Sequence, residues 1–449
     1  MRRAAARWAQ NQRAQKAVRW PLKKGQDLIS QSNVANLLPD IWPSREKLQE
    51  VLRIFASEKR GELAFALLQT MAAEGRRLKE SDFTVGIASC AKSSFWQHAL
   101  RLFSLMPVAR VDQSAFSFNA TVTAFEKGRQ WHRALRLFEE MQEATVKCDL
   151  IGCSAAISAC AKGGQWQEAL RLLEAVPKAK LQPDVILWST AISACEKVGH
   201  WQQALLLFEA MLQVKLQPSI ITYNATISAC EKGGQWPQAL QLFQDIPRAK
   251  LQPDLISYNA TISASEKGWR WEHALRLIEA MVTASSDANV ISFSAAISAC
   301  EKGGQWQQTL MLLEAMLGMK VQPNVISYNA TISSCEKSGH WQPALVLFHG
   351  MLKEGCQPSI ITFNAIISAC EEGGQWQQAI ALFEAMPSQT IQPDAASYNE
   401  TMSACGQDDQ WEHVLLLFEA MTRTSVQPNI LSYSAAISAC EKAMAHSAF

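Results

Sequence analysis

Residues 255–289 read LISYNATISASEKGWRWEHALRLIEAMVTASSDAN. Leu255, Tyr258 and Ile262 fall at i, i+3 and i+7, and small Ser265 continues the stripe, which is the apolar face of a helix. Ser257 stands near the start of that stripe and is the expected N-cap; eight of eleven equivalent positions carry Ser or Thr. The helix is expected to stop near Gly268, and Gly163, Gly233, Gly303 and Gly373 repeat the signal. Trp271, Ala274, Leu275, Leu277, Ile278 and Met281 then give a second helical stripe. The links carry Gln252-Pro253 and Gln322-Pro323, and proline cannot continue a helix.

The same pattern recurs every 35 residues. Trp96, Trp131, Trp166, Trp201, Trp236, Trp271, Trp306, Trp341, Trp376 and Trp411 keep strict register. The chain is therefore read as an array of repeats, which replaces the division into about three domains that 449 residues would otherwise suggest. Ten units are expected over 80–429, beginning at 80, 115, 150, 185, 220, 255, 290, 325, 360 and 395. A degenerate unit covers 45–79 and a partial one 430–449. Neither helix of such a hairpin can bury its face alone, so stacking completes the core and makes an α-solenoid with a concave surface. The Trp, Tyr and Met of the pattern are expected in that core. The aromatic series Phe118, Tyr223, Tyr258, Phe293, Tyr328, Phe363 and Tyr398 lies on the core stripe and is not a base-stacking platform.

Composition narrows the function. With 48% apolar and 18% charged residues the chain can bury a large core, and no stretch is apolar enough for a membrane helix. Residues 1–44 hold eight bases and two acids, leaving 34 bases against 39 acids for the rest. Bulk charge thus does not favour nucleic acid, and that reading must rest on local placement of lysine. Cys90, Cys160, Cys195, Cys230, Cys300, Cys335, Cys370, Cys405 and Cys440 keep the repeat register, with no CxxC pair. They read as small buried hydrophobes in a reducing compartment; no metal or cofactor is expected.

The other face of the first helix carries a different series. Ile151, Ile186, Ile221, Ile256, Ile291, Ile326 and Ile361 occupy its second position. Asn or Ser follows at the fifth: Asn119, Ser154, Ser189, Asn224, Asn259, Ser294, Asn329, Asn364, Asn399 and Ser434. The ninth is Ser or Thr from Thr123 to Ser438. The thirteenth is Lys92, Lys127, Lys162, Lys197, Lys232, Lys267, Lys302 and Lys337. Asn and Ser are poor helix formers, because their side chains compete for backbone hydrogen bonds. A row of them points to short polar groups that touch a ligand. Amide and hydroxyl groups suit base edges, branched Ile can pack on a base face, and Lys can meet phosphate.

The unit typified by ISYNATISACEKGGQWQQAL, with Ala-Leu-x-Leu-Phe-x-x-Met and a terminal Pro-Asp, resembles the pentatricopeptide repeat in its pure 35-residue class. The tetratricopeptide alternative fits worse, having a 34-residue period and a differently placed Trp. The resemblance covers 80–442 strongly and 45–79 weakly. The fold class expected is all-α: a right-handed α-solenoid superhelix of stacked helix–turn–helix repeats. The resemblance implies an organellar binder of single-stranded RNA, one nucleotide per repeat. In the family the fifth residue and the last residue of each unit choose the base. Carried over, Asn119 with Asp149 implies U, Ser154 with Asp184 implies G, and Asn224 with Asp254 implies U. Asn259 with Asn289 implies C or U, Ser294 with Asn324 A, Asn329 with Ser359 C, Asn364 with Asp394 U, and Asn399 with Asn429 C or U. Thr84 with Ser114 and Ser189 with Ser219 are unusual pairs read as purine. The expected target is about ten nucleotides, R-U-G-R-U-Y-A-C-U-Y. Glu372 and Gln407 replace the lysine in the last two full units, which should weaken phosphate contact there.

No GxxxxGK, GxSxG or HExxH motif occurs, so an enzyme is not expected, nor is a deaminase-like or nuclease-like domain after residue 442. Six histidines (His98, His132, His200, His273, His340, His413) lie within two residues of a repeat Trp and read as variable surface positions. Residues 1–24, Arg-rich and free of acids, resemble a mitochondrial or plastid transit segment, and 25–44 read as linker. A monomer working with RNA-processing enzymes is expected. The alternatives are a solenoid that binds a peptide or protein partner in its concave face, and an expanded array without a tuned target.

Overall fold

In the computed structural model the first helices begin at Glu80, Ala115, Leu150, Val185, Ile220, Leu255, Val290, Val325, Ile360, Ala395 and Ile430. Each second helix begins on the repeat Trp, from Trp96 to Trp411. A further pair, Arg45–Ser57 and Gly61–Ala73, precedes them. The structure describes residues 45–447 except 145, 147–148, 179–180, 285–287, 409 and 425, so the transit and linker segments expected over 1–44 lie outside the described residues. Among the described residues there are twenty-three α-helices, a short 3-10 turn at Pro387–Gln389 and no strand.

The chain divides into two compact units, residues 1–229 and 230–449. Within each, a first helix packs on its own second helix and on the first helix of the next repeat. Each unit is thus an all-α solenoid. In the first unit Ile87, Leu102, Val122 and Ile157 join one core, and in the second Ile262, Ile278, Ile297 and Met316 do the same. Aromatic rings tie neighbours edge to face: Phe103 to Phe118 at 4.9 Å, Phe243 to Tyr258 at 4.9 Å and Phe383 to Tyr398 at 4.8 Å. The register cysteines from Cys90 to Cys405 are buried free thiols, and burial pushes Cys160, Cys230 and Cys300 up to about 12. They are packing groups rather than nucleophiles.

The first helix starts differently from the sequence expectation. The N-cap is not Ser257 but Asp254, whose carboxylate accepts from the Ser257 N–H at 2.9 Å, while the Asp254 N–H donates to the Ser257 hydroxyl at 3.2 Å. The motif is a capping box, repeated at Ser114, Asn289, Ser359 and Asp394. The last residue of one unit is therefore the N-cap of the next.

The helix end also needs its glycines for two separate reasons. At Gly303 the backbone is ordinary (φ −82), and the left-handed residue is the next one, Gly304 (φ 68). The Gln305 N–H closes a Schellman turn on the Cys300 carbonyl at 2.9 Å. Gly303 is required because a Cβ there would stand 2.4 Å from Trp271 of the preceding repeat. Gly128, Gly163, Gly268 and Gly373 meet Trp96, Trp131, Trp236 and Trp341 in the same way. These Trp are half-buried at the seams between repeats, not fully in the core; the Met of the pattern, such as Met141 and Met281, are fully buried. Nor do all the histidines stand free of the packing. His340 stacks 4.1 Å from Trp306, His200 lies 4.5 Å from Trp166 and His273 lies 5.6 Å from Trp236, each on the ring of the preceding repeat.

Candidate nucleic-acid interface

A large apolar side chain left in water forfeits roughly 1.5–3 kcal/mol of burial. Ile151, Ile186, Ile221, Ile256, Ile291, Ile326 and Ile361 do so in seven successive repeats, each 59–66% exposed. Phe116 holds the same position at 70% exposure; it belongs to the row and was readable from its register, although only the isoleucines stand out by type. Between Ile151 and Ile186 lies a recess of about 320 Å³. Ser154, Ser158 and Asp184 line it, with Thr123 and Glu126 along the side of the preceding repeat. Two apolar walls with a polar pair between them match a flat heterocycle with hydrogen-bonding edges.

The structure brings the fifth residue and the last residue of a unit together across thirty positions. The Asn119 amide donates to Asp149 at 2.7 Å, Asn364 to Asp394 at 3.3 Å, Asn399 to Asn429 at 3.1 Å and Asn329 to Ser359 at 3.4 Å. The Ser294 hydroxyl lies 3.5 Å from Asn324. Asn259 and Asn289 meet through a third group, the Ser292 hydroxyl, and Ser189 and Ser219 through Thr222. Thr84 behaves differently: its hydroxyl donates to the Ser81 carbonyl, while Ser114 donates to Glu80. Of the fifth residues, Asn119, Ser189, Asn224 and Ser294 sit deep in the seam between first helices at 6–8% exposure, while Ser154, Asn259, Asn329, Asn364 and Asn399 are half-buried. At Asp394 burial raises the carboxyl, but hydrogen bonds from the Ser397 backbone and hydroxyl, the Asn364 amide and the Ala396 backbone outweigh it. The group is held below the usual carboxylate range and stays an acceptor.

The lysines are exposed, but they carry partners. Lys162 meets Glu126 at 2.8 Å, Lys267 meets Glu231 at 2.8 Å, Lys302 meets Glu266 at 3.0 Å and Lys337 meets Glu301 at 2.8 Å. Each Glu belongs to the preceding repeat, and Glu126 also accepts from the Ser158 hydroxyl at 2.7 Å. This ladder was hidden in the sequence because its partners stand 36 residues apart. It lapses where Glu372 and Gln407 replace lysine. There Glu371 keeps only the serine rung, from Ser403 at 2.5 Å, and Glu400 replaces the small residue of other units. Burial, with the negative charges of Glu336, Glu371 and Asp394, pushes the Glu400 carboxyl up to about 8. Burial raises Glu336 and Glu371 as well.

Stacked 35-residue helical hairpins with an exposed apolar row and a seam of paired polar residues define a helical-hairpin repeat solenoid. Family comparison agrees at the level of sequence. The PPR repeat family matches residues 183–232, 218–266, 323–372 and 358–407, and the pentatricopeptide repeat domain matches 276–338. A pentatricopeptide repeat-containing protein family matches 47–176, and the PPR repeat 396–425. The chain belongs to the pentatricopeptide repeat family. Among solved structures, the pentatricopeptide repeat protein PPR10 from maize is similar over 95% of this chain and 66% of its own, with 19% identity and a TM-score of 0.55. That likeness is one of fold. PPR10 in complex with an 18-nt psaJ RNA element aligns over 91% of this chain and 84% of its own at 15% identity, with a TM-score of 0.35. Yeast Rmd9p in complex with a 16-nt target RNA aligns over 93% and 90% at 11% identity, also with a TM-score of 0.35. No curated protein sequence matches the chain.

Proposed function

We propose that the chain binds single-stranded RNA sequence-selectively, about one nucleotide per repeat, without catalysing a reaction on it. The observation that carries this reading is the recess between Ile151 and Ile186, with Ser154 and Asp184 between its walls. Repetition of the isoleucine row through seven successive units supports a ligand that is itself periodic, and membership of the family supports RNA. A base held between successive isoleucines would present its edge to the fifth residue and the N-cap residue. An Asp there accepts from the N–H of U or G, and an Asn donates to the ring nitrogen of C or A. The role is taken to be organellar RNA processing, stability or translation, in which a covered tract is shielded or kept open for a partner enzyme.

A second reading, a groove for a basic peptide, is favoured by the acidic stretch of Glu336, Glu371, Glu372 and Glu400 in the C-terminal repeats. Salt separates the two. Titration of the full chain with a ten-nucleotide RNA of the string R-U-G-R-U-Y-A-C-U-Y should give log K falling with log salt at up to about −3.5, the slope for five phosphates on a single strand. The glutamates of the ladder should flatten that slope, since Lys162, Lys267, Lys302 and Lys337 already have a counter-charge. Replacing Glu126, Glu231, Glu266 and Glu301 with Gln keeps the hydroxyl acceptor and frees four lysines, so binding should tighten and the slope steepen. Absence of RNA binding at low salt, with capture of a Lys/Arg-rich peptide, would sink the RNA reading in favour of the peptide groove.

A further inference from the structure

An asparagine amide can rotate half a turn and exchange its acceptor for its donor, so a residue that reads a base edge must have that choice fixed. The third residue of the following first helix stands where it can fix it. The Ser292 hydroxyl donates to Asn259 Oδ1 at 2.6 Å, Thr362 to Asn329 Oδ1 at 2.6 Å, Ser397 to Asn364 Oδ1 at 2.7 Å and Ser432 to Asn399 Oδ1 at 2.6 Å. Each of these oxygens is itself placed by an N-cap backbone N–H: Asn289 to Ser292 at 3.3 Å, Ser359 to Thr362 at 2.9 Å, Asp394 to Ser397 at 3.3 Å and Asn429 to Ser432 at 3.1 Å. A hydroxyl has one proton, and the shorter bond to the asparagine takes it in preference to the N-cap side chain at 2.9–3.1 Å. The amide oxygen is then occupied. One N–H of Asn364 goes to Asp394, and the other is left as a donor for the ligand.

We propose that this third-position hydroxyl is a positioning residue for base selection by the preceding repeat, a role that rests on the base-reading function proposed above. It holds the asparagine amide donor-outward, which suits the O2 carbonyl shared by U and C. The array contains its own deletion experiment. At the repeat beginning at Ala115 the corresponding residue is Gly152, and there Asn119 Oδ1 is buried with no hydrogen-bond partner. A Cβ at Gly152 would stand 2.3 Å from that oxygen, so the amide occupies the space that a side chain fills elsewhere. Asn119 with Asp149 and Asn364 with Asp394 are the same pair in the same register, and their third partner differs, Gly152 against Ser397. Selection of pyrimidine over purine should be sharper at the second.

The test uses the full chain and RNAs of the predicted string with U changed to A opposite either repeat. The ratio of the two affinities should be larger for the repeat of Asn364 than for that of Asn119. Ser397→Ala should lower the ratio at its own position by about tenfold, the order expected for leaving one buried polar group unfixed. Ser397→Thr should restore it. A ratio measured on one protein cancels any loss of stability from the broken capping box, and discrimination opposite Asn329 in the same variant serves as an internal control. An unchanged ratio in Ser397→Ala, or equal ratios at the two wild-type repeats, would overturn the positioning role. Failure of base reading itself shows separately: the exchange Asn364→Ser would then leave every preference unmoved.

Discussion

Glu400 shows how one substitution can change the chemistry of a seam. Its position in the other full units holds Ala, Thr or Val, the residue is half-buried, and its Oε2 is buried with no donor. A carboxyl raised to about 8 is protonated in the folded chain at neutral pH, whereas the unfolded chain releases that proton near the ordinary value of about 4.3. The folded state thus holds the extra proton between these limits. Stability falls as pH rises through that window and levels off above it. The melting temperature should decline more steeply from pH 5.5 to 9 in the wild type than in Glu400→Ala. The variant should gain about 3 °C or more at pH 9 and little at pH 5.5. Parallel pH profiles would show that Glu400 is solvated and ionised throughout. The residue scale also shows where reading stopped short. Asp254 and Ser257 are both good caps, and the sequence pattern Asp-x-x-Ser contains both halves of a capping box. Apolar periodicity starting at Leu255 does not say which half stands outside the helix.

The helical hairpin as an element was legible almost residue for residue, because the Trp register marks each second-helix start from Trp96 to Trp411 and a Pro-x link precedes seven of the eleven first helices from Glu80 to Ile430. What the period could not reveal is what crosses between elements. Trp271 and Gly303, Lys302 and Glu266, and Trp306 and His340 are each some 32–36 residues apart and become neighbours only when hairpins stack. The glycine that ends the first helix is thus also a seat for an indole. Gly303→Ala should destabilise the chain by about 1–3 kcal/mol through overpacking against Trp271. Gly304→Ala, with open space around it, should cost about 1 kcal/mol through its left-handed backbone alone. In a double-mutant cycle read by chemical denaturation, Trp271→Ala should absorb most of the penalty at Gly303 and none of that at Gly304. Additive effects at Gly303 would contradict the seat.

At the scale of the molecule, nearest-neighbour stacking means that each seam repeats the same short list of contacts, so departures stand out. The isoleucine row and the polar pairs were visible in the sequence as series. Their joint meaning required the fold, which places the end of one unit at the N-cap of the next and so within reach of the fifth residue. The lysine row was equally visible, yet the glutamate ladder beside it changes what that row can offer to phosphate. Base selection in the proposed function therefore rests on the paired residues rather than on charge. The most direct measurement is the affinity of the full chain for the predicted RNA with A or C opposite the repeat of Ser294 and Asn324, before and after the exchange Ser294→Asn with Asn324→Ser. Preference should turn from A to C, as the Asn329–Ser359 pair implies. Tight binding with the same preference in both proteins would contradict base reading by these side chains.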